Sequence, residues 1–414
     1  MLSVRYFQRM ARWVSSPVVV FIVALAIRIA VLTQLLPEQA DRGFYAKNEP
    51  ARIAWAVVSG HGFSSPWPNT PLLPTAQQPP VYPYILAGIF KLAGPYSSPS
   101  LWIAVLLNAL FSALTSVVVL FLGKRVFGSP VGILAAWVWA CWLYEAVVSI
   151  RLWESSLSTL LLALSLLVLA NSVDSLHTLH SILLGVLAGA AALTNTTLLI
   201  AFPFFWFWLW FRHRRRGCHH TRQVLLTASV CCLILLPWMV RNYAVFGRVI
   251  PVRDNFGMEL WIGNHEGVTN LYDFSSDFPL NDPTEYNRLG EIRFMEDKGR
   301  AALHFIQAHP QQFLWFCGQR FFFFWTAPHP GLWLPLSLAS WAGAALAIAQ
   351  KGTFALPFAI VLALFPVAYY ITHPWSTYRH PVEPVMILLT ANSAVSAVKR
   401  VAARFSSYST AGSM

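Results

Sequence analysis

Ionisable side chains open the polar stretch 41–94, which lies between two apolar segments. Asp41, Lys47, Glu49 and Arg52 come first, and a proline-rich run ending in PPVYPYILAGIFKLAG follows. A carboxylate held in such a loop can act as a general base on a nucleophile within its reach. Glu49 is the favoured catalytic base, and Asp41 is the rival candidate.

Glu49 also has a plainer interpretation. Glu49 and Arg52 are three residues apart, which makes them neighbours on one face of a helix. Glu49 could therefore pair with Arg52 or with Lys47 without taking part in any chemistry.

Arginines recur near the ends of apolar segments, as in PWMVRNYAVFG and HPWSTYRHPVEP. A charge at the centre of a membrane helix costs at least ~2.5–3.5 kcal/mol, so it usually faces a cavity or a partner. Guanidinium groups bind phosphate through paired hydrogen bonds. Anchoring at lipid headgroups is the alternative for Arg241 and Arg379. The predicted phosphate-binding set is Arg52, Arg151, Arg241, Tyr378 and Arg379.

Further polar side chains flank the same segments and are candidates for binding a substrate. Glu154 could instead pair with Arg151, since both precede one apolar segment. Asn264 and His265 could simply form a turn before Gly267. The predicted substrate-binding residues are Lys47, Tyr82, Glu154, Asn264 and His265.

The composition is that of a membrane protein. Apolar residues make up 56% of the 414 residues and charged residues 11%, with a mean hydropathy of +0.54. A soluble domain carries about 25% charged residues. The net charge of +12 is unevenly spread: RHRRR (212–216) is basic, whereas most acidic residues lie between Asp254 and Asp297. This asymmetry is typical of membrane topology and argues against a nucleic-acid binder.

The hydropathy pattern predicts an all-α polytopic membrane protein. A span needs about 20 apolar residues, and spans must be helical because lipid offers no hydrogen-bond partners. About ten candidate spans follow: 17–36, 101–122, 130–148, 154–171, 180–196, 198–211, 223–240, 332–350, 354–372 and 381–398. We expect one domain over residues 1–414.

Basic residues orient these spans, since cytoplasmic loops are rich in Lys and Arg. Placing both termini in the cytoplasm puts the RHRRR run there as well. The first loop (37–100) and the larger second loop (241–330), before the last three spans, then lie outside. The apolar segments 82–93 and 311–325 are predicted to be amphipathic helices at the outer interface.

The five cysteines are odd in number and lack the spacing of a disulfide framework or metal site. They are interpreted as small apolar residues within helices.

Several motifs, taken in order, resemble the GT-C class of integral-membrane glycosyltransferases, among bacterial relatives of dolichyl-phosphate-mannose–protein mannosyltransferase and of lipid A aminoarabinose transferase. They are EPARIA, GHGF, PTAQQPPVYPYILAGIF, LWESSLSTLLLALSL, PWMVRNYAVFG, GMELWIGNHEG and YRHPVEP. The resemblance implies a polyprenyl-phosphate sugar donor and a base in the first outer loop, the position of Glu49. The family has an Asp-Glu pair where this chain has Asn48-Glu49, so neither an obligatory metal nor a cofactor is expected.

The resemblance implies inverting sugar transfer on the outer face of a bacterial cytoplasmic membrane, to a lipid, glycan or protein acceptor. A flippase or transporter is an alternative, but it would show two similar halves and broken helices near the bilayer middle. A polysaccharide polymerase or ligase is a second alternative with similar chemistry. Membrane lipids are the remaining expected partner.

Overall fold

The computed structural model describes residues 12–41, 48–218, 220–268 and 283–411, of which 37–41 and 404–411 are described by their backbone alone. These residues form helices and no strands, apart from one isolated bridge between Ser64 and Pro74. The all-α prediction is therefore confirmed. The helices are α1 (Pro17–Asp41), α2 (Glu49–Val58), α3 (Val81–Ala93), α4 (Ser98–Val126), α5 (Ser129–Ala140), α6 (Leu143–Val148), α7 (Ser155–Asn171), α8 (Thr178–Ala192), α9 (Phe202–Arg215), α10 (Thr221–Phe246), α11 (Phe256–Gly263), α12 (Thr284–Leu289), α13 (Glu291–Ala308), α14 (Pro310–Thr326), α15 (Pro330–Lys351), α16 (Leu356–Leu364), α17 (Val367–Ile371) and α18 (Glu383–Ala411).

The helices are those of a multi-pass membrane protein. Shorter apolar helices α3, α5, α7 and α8 accompany five segments that are long and apolar enough to cross a bilayer. The predicted total of about ten spans stays a prediction. The five segments are Pro17–Leu36, Ser98–Val126, Thr221–Phe246, Pro330–Ile371 and His380–Ala403.

The segment 130–148, predicted as one span, is interrupted after Ala140. The buried guanidinium of Arg28 in α1 donates hydrogen bonds to the carbonyls of Ala140 at 2.7 Å and Trp139 at 3.0 Å. Arg28 also donates to the Ser112 hydroxyl at 2.6 Å. The carbonyls freed at the end of α5 thus find a partner, as backbone groups inside a membrane must.

Helix α4 lies at the centre of the first half of the chain and packs against α1, α5 and α7. Its contact with α5 is close because two glycines face each other. A Cβ placed on Gly123 would come within 2.4 Å of the Gly132 Cα. Farther along the chain, α8 packs on α10 and α15 packs on α18.

The two predicted loops, 37–100 and 241–330, both contain helices, and the loops contact each other. Trp67 of the first loop is fully buried and meets Tyr286 of the second edge to face, with ring centroids 4.9 Å apart. The segments 82–93 and 311–325 are helical, as α3 and α14. Their position at the membrane interface stays a prediction.

Gly123→Ala should destabilise the bundle, because the new methyl group cannot fit between α4 and α5. Overpacking of this kind costs about 1–3 kcal/mol, so the thermal unfolding midpoint in detergent should fall. Gly88→Ala in α3 is the matched control, since nothing lies within 4 Å of its Cβ position. Alanine favours the helix over glycine by about 1 kcal/mol, so helix propensity alone would stabilise both variants. Equal midpoints for the two variants would contradict the close α4–α5 contact.

Candidate active site

A cavity of about 630 Å³ opens where the two loops meet the ends of the apolar helices. Its wall combines residues that are far apart in sequence: Glu49 from the start of α2, Glu154 from the start of α7, and Tyr378 from the segment before α18. Among the described residues that line it, Arg253 is the only Lys or Arg. The cavity therefore brings carboxylates and one guanidinium into a single partly apolar chamber.

Glu49 is the first residue of α2, and its helix is well started. The Asn48 side chain accepts a hydrogen bond from the Ala51 N–H at 3.3 Å, and Pro50 occupies the first turn. The Glu49 carboxylate is partly buried and accepts hydrogen bonds on both oxygens. Trp67 Nε1 donates to Oε1 at 3.0 Å, and Gln78 Nε2 donates to Oε2. The carboxylate is thus held at the cavity wall.

The segment Thr75–Gln78 is anchored by charged side chains through its backbone. Arg241 donates to the Thr75 carbonyl at 2.7 Å, and Arg253 donates to the Gln77 carbonyl at 3.0 Å. Glu291 accepts from the Ala76 N–H at 2.6 Å. Because Gln77 and Gln78 both reach toward Glu49, these bonds also position the carboxylate.

A relay of polar groups crosses the opposite part of the cavity wall. Arg253 forms an ion pair with Glu259 at 3.3 Å, and the second Glu259 oxygen lies 3.4 Å from His373 Nδ1. The His373 Nε2 is 3.2 Å from the Tyr378 hydroxyl. Tyr378 in turn stacks on Tyr369, with ring centroids 4.6 Å apart. The relay fixes the rings and leaves Arg253 Nη1 without a hydrogen-bond partner among the described residues.

Burial and neighbouring charges set the acidity of Glu49. Burial raises the pKa of its carboxyl above the ordinary value, and the negative charge of Glu259 raises it further. The Trp67 and Gln78 hydrogen bonds and the Arg253 guanidinium oppose this increase in pKa. Glu49 is therefore a stronger base than an exposed glutamate, while its oxygens remain oriented.

Glu154 and Asn195 form a further polar corner of the cavity. Glu154 immediately precedes α7, and its Oε1 accepts a hydrogen bond from Asn195 Nδ2 at 3.3 Å. The two ion pairs considered as alternatives, Glu154–Arg151 and Glu49–Arg52, do not form among the described residues. Arg52 lies over the Trp55 ring instead, 5.8 Å from its centroid.

The predicted set of phosphate-binding arginines does not converge on the cavity. Arg241 bonds the carbonyls of Thr75 and, at 2.9 Å, Phe63. Arg379 donates to the Phe324 and Ala327 carbonyls and lies 3.7 Å from the Trp333 ring centroid. The predicted residues of this set that do not line the cavity are Arg52, Arg151, Arg241 and Arg379. Of the set, only Tyr378 does.

Three of the predicted substrate-binding residues also lie outside the cavity wall. Tyr82 is buried, and its hydroxyl bonds Asn108. Asn264 is fully buried and donates to the Leu260 and Ile371 carbonyls. The His265 ring stacks on Trp261 with centroids 4.5 Å apart. These contacts depend on which residues pack together in the folded chain, and a sequence motif does not reveal that.

Two predictions fall on parts of the chain that the structure does not describe. Lys47 is outside the described residues. Asp41 ends α1, but its side chain is outside the described residues as well. Their proposed roles stay predictions.

Arg253, Glu259 and His373 were missed from the sequence. Glu259 lies in the motif GMELWIGNHEG, the same motif that contains the predicted residues Asn264 and His265. Arg253 precedes that motif in VRDN, and His373 precedes Tyr378 in HPWSTY. The sequence feature that could have identified these three residues is their position as ionisable residues beside apolar helices.

The cavity carboxylates are held by hydrogen bonds and an ion pair. The Glu49 oxygens accept from Trp67 and Gln78, and one Glu259 oxygen accepts from Arg253 and Asn255. Within the described part of the chain, the cavity carboxylates form no group of three metal-ligand atoms. The expectation that no metal is obligatory stays a prediction.

Comparisons with known proteins agree with this architecture. Residues 77–240 match the family model of dolichyl-phosphate-mannose-protein mannosyltransferase, a match that covers less than half of the chain but includes Gln78 and Glu154. No curated protein matches the chain in sequence.

Solved structures share the fold. The Archaeoglobus fulgidus oligosaccharyltransferase in complex with Zn and sulfate has a TM-score of 0.56 at 14% identity, over 92% of this chain and 49% of that chain. The same organism's AglB, with an inhibitory peptide and a dolichol-phosphate, gives 0.54 at 13% identity, over 94% and 51%. ArnT from Cupriavidus metallidurans, bound to undecaprenyl phosphate, gives 0.50 at 16% identity, over 91% and 59%.

This chain spans about half the length of the oligosaccharyltransferase structures. At these identities the likeness concerns the fold alone. The chain has the fold of the GT-C class of integral-membrane glycosyltransferases, as its sequence motifs predicted.

Proposed function

We propose that the protein transfers a sugar from a polyprenyl-phosphate-linked donor to an acceptor nucleophile. The observation that carries this proposal is the cavity in which the oriented Glu49 carboxylate and the Arg253 guanidinium share one chamber. The family description names a dolichyl-phosphate sugar, and the solved structures of AglB and ArnT contain dolichol-phosphate and undecaprenyl phosphate. A lipid-phosphate donor suits all three observations.

Glu49 is the proposed general base. Its carboxylate takes the proton of the acceptor as the acceptor atom forms a bond to the anomeric carbon of the sugar. The bond between that carbon and the phosphate oxygen breaks, and the polyprenyl phosphate leaves with the electron pair. Attack from the face opposite the leaving phosphate inverts the anomeric configuration.

Arg253 is the proposed binding group for the donor phosphate. Glu259 and the Gln77 carbonyl hold its guanidinium in place, and the unpartnered Nη1 remains for a ligand oxygen. A guanidinium in a partly dry site stabilises the charge that develops on a leaving phosphate. Arg253 thus takes the role that the sequence had suggested for Arg241 and Arg379.

Glu154 and Asn195 are proposed to bind sugar hydroxyls. They contribute polar groups to a wall that is otherwise largely apolar, the usual arrangement for orienting a small ligand. The ring face of Tyr378 lies on the same cavity and offers an apolar surface to the sugar.

The cavity is proposed to face the outer side of the membrane. Helix α9 begins just after cavity residue Ile200 and ends in the basic RHRRR run. Helix α18 begins just after cavity residue Pro381 and carries Lys399 and Arg400 farther along. Basic residues favour the cytoplasmic side of a membrane. Since the cavity lies at the other end of each helix, it is proposed to lie on the outer side.

Glu49→Gln should abolish transfer, because the amide cannot accept the acceptor proton. Loss of a general base typically costs a factor of 10²–10⁴ in rate. The measurement is product formation by the detergent-purified protein with a panel of labelled polyprenyl-phosphate sugars. Glu285→Gln is the control, since Glu285 pairs with Lys298 and does not line the cavity.

Undiminished transfer by Glu49→Gln would exclude Glu49 as the base. Wild-type protein that moves the donor across a liposome membrane, with no cleavage of the sugar–phosphate bond, would favour the flippase alternative. A product extended by repeated sugar units would favour the polymerase alternative.

The pH dependence of transfer should report the charge state of Glu49. Protonation inactivates a base, so kcat/KM should fall as pH decreases through the raised pKa of Glu49. Glu259→Gln removes a nearby negative charge and should move this limb to lower pH. Arg253→Gln removes a nearby positive charge and should move it to higher pH. Shifts in the same direction would contradict the assignment.

Arg253 and Arg241 should respond differently to substitution. Arg253→Gln should raise the donor KM about tenfold or more, since a hydrogen bond to a charged group contributes about 1.5–3 kcal/mol. Arg241→Gln should mainly lower the thermal unfolding midpoint, because the Thr75 and Phe63 carbonyls lose their donors. Steady-state kinetics and thermal unfolding measure the two effects. The reverse pattern would return phosphate binding to Arg241.

A further inference from the structure

Outside the cavity, the turn between α9 and α10 brings together His213, Cys218 and His220. One potential ligand atom from each residue lies within 4.8 Å of the others. The sequence did not predict a metal site here, because segment 213–220 contains a single cysteine and no pair of cysteines at metal-binding spacing. The cluster exists because the chain reverses direction at this point.

Local backbone geometry brings Cys218 back to His213. Gly217, two residues after the end of α9, has a positive φ of 76°. The Cys218 N–H bonds the His213 carbonyl and the Gly217 N–H bonds the Arg214 carbonyl, each at 3.0 Å. This pair of bonds is a Schellman motif, which folds the chain back over the last helical turn. His220 then immediately precedes α10, and its ring lies 4.6 Å from that of His213.

The two histidines are already arranged as metal ligands require. His213 is buried, and its Nε2 lies 3.0 Å from the Ser172 carbonyl, so this nitrogen carries the proton and Nδ1 keeps its lone pair. Histidines that bind metals usually donate their other ring N–H to a carbonyl or carboxylate. The His220 Nδ1 is buried without a hydrogen-bond partner among the described residues. A buried ring nitrogen without a partner needs an explanation, and a bound metal ion beside a second histidine provides one.

Cys218 supplies the third ligand atom. Its side chain is exposed, and its thiol makes only a long contact of 3.9 Å to the Arg216 carbonyl. Binding a metal converts the thiol to a thiolate and releases its proton to solvent. The thiolate charge offsets part of the repulsion between a cation and the neighbouring arginines.

We propose that His213, Cys218 and His220 bind a zinc ion. Zinc accepts nitrogen and sulfur ligands in tetrahedral geometry, and a fourth position occupied by water completes three protein ligands. Zn–N bonds of about 2.0–2.1 Å and Zn–S bonds of about 2.3 Å imply ligand atoms roughly 3.3–3.6 Å apart. The three side chains need to close in from separations of up to 4.8 Å to reach these distances. The site would fasten the end of α9 to the start of α10.

The test uses the full-length protein in detergent, stripped with a chelator and titrated with Co²⁺ as a spectroscopic substitute for zinc. We expect one Co²⁺ per chain, with a thiolate-to-cobalt charge-transfer absorption that Zn²⁺ abolishes by displacement. Cys218→Ser should remove this absorption. His220→Ala and His213→Gln should weaken Co²⁺ binding by about tenfold or more. The amide introduced by His213→Gln can still donate to the Ser172 carbonyl, so this variant keeps a donor for that buried group.

Cys232→Ser and His309→Ala are matched controls, because both residues lie outside the cluster. Both should bind Co²⁺ with the same absorption as the wild type, and size-exclusion elution shows that each variant is folded. A wild-type protein without the charge-transfer absorption would overturn the proposal. So would absorption that survives in Cys218→Ser, or unchanged affinity in both histidine variants.

Discussion

The extended segment Thr75–Gln78 is the constraint on which the candidate site depends. It belongs to the first loop, faces the second, and is part of no helix or sheet that would satisfy its backbone groups. Buried peptide groups need partners, and Arg241, Glu291 and Arg253 provide them from distant parts of the chain. The glutamines of the same segment then hold Glu49. The hydrogen bonds that satisfy this backbone therefore also position the Glu49 carboxylate.

This anchoring joins the acidic second loop to the site. Glu291 accepts from the Ala76 N–H, the Thr75 hydroxyl and the Tyr286 hydroxyl. Burial raises the pKa of Glu291, and burial together with Glu291 raises the pKa of nearby Asp254. Burial and the neighbouring negative charge thus both favour the protonated form of Asp254.

Several buried arginines donate hydrogen bonds to backbone carbonyls. Arg28, Arg320 and Arg379 are each at most 1% exposed, and each donates to main-chain carbonyls where helices end or break. A broken helix in an apolar setting leaves carbonyls without partners, and a guanidinium can satisfy several at once. The same property makes arginine suitable for phosphate, so residue type alone does not distinguish the two uses. In this protein Arg253 lines the cavity, whereas Arg241 and Arg379 bond carbonyls.

The sequence by itself determined the helical membrane architecture, the approximate positions of apolar helices and the candidacy of Glu49. Hydropathy is summed over neighbouring residues, so a one-dimensional pattern carries it. Only the tertiary structure decided that Arg253 and Glu259 share a cavity with Glu49, and that Arg241 and Arg379 do not. These placements depend on contacts between residues up to hundreds of positions apart, and on which carbonyls the broken helices leave unsatisfied. Neither is encoded in local spacing.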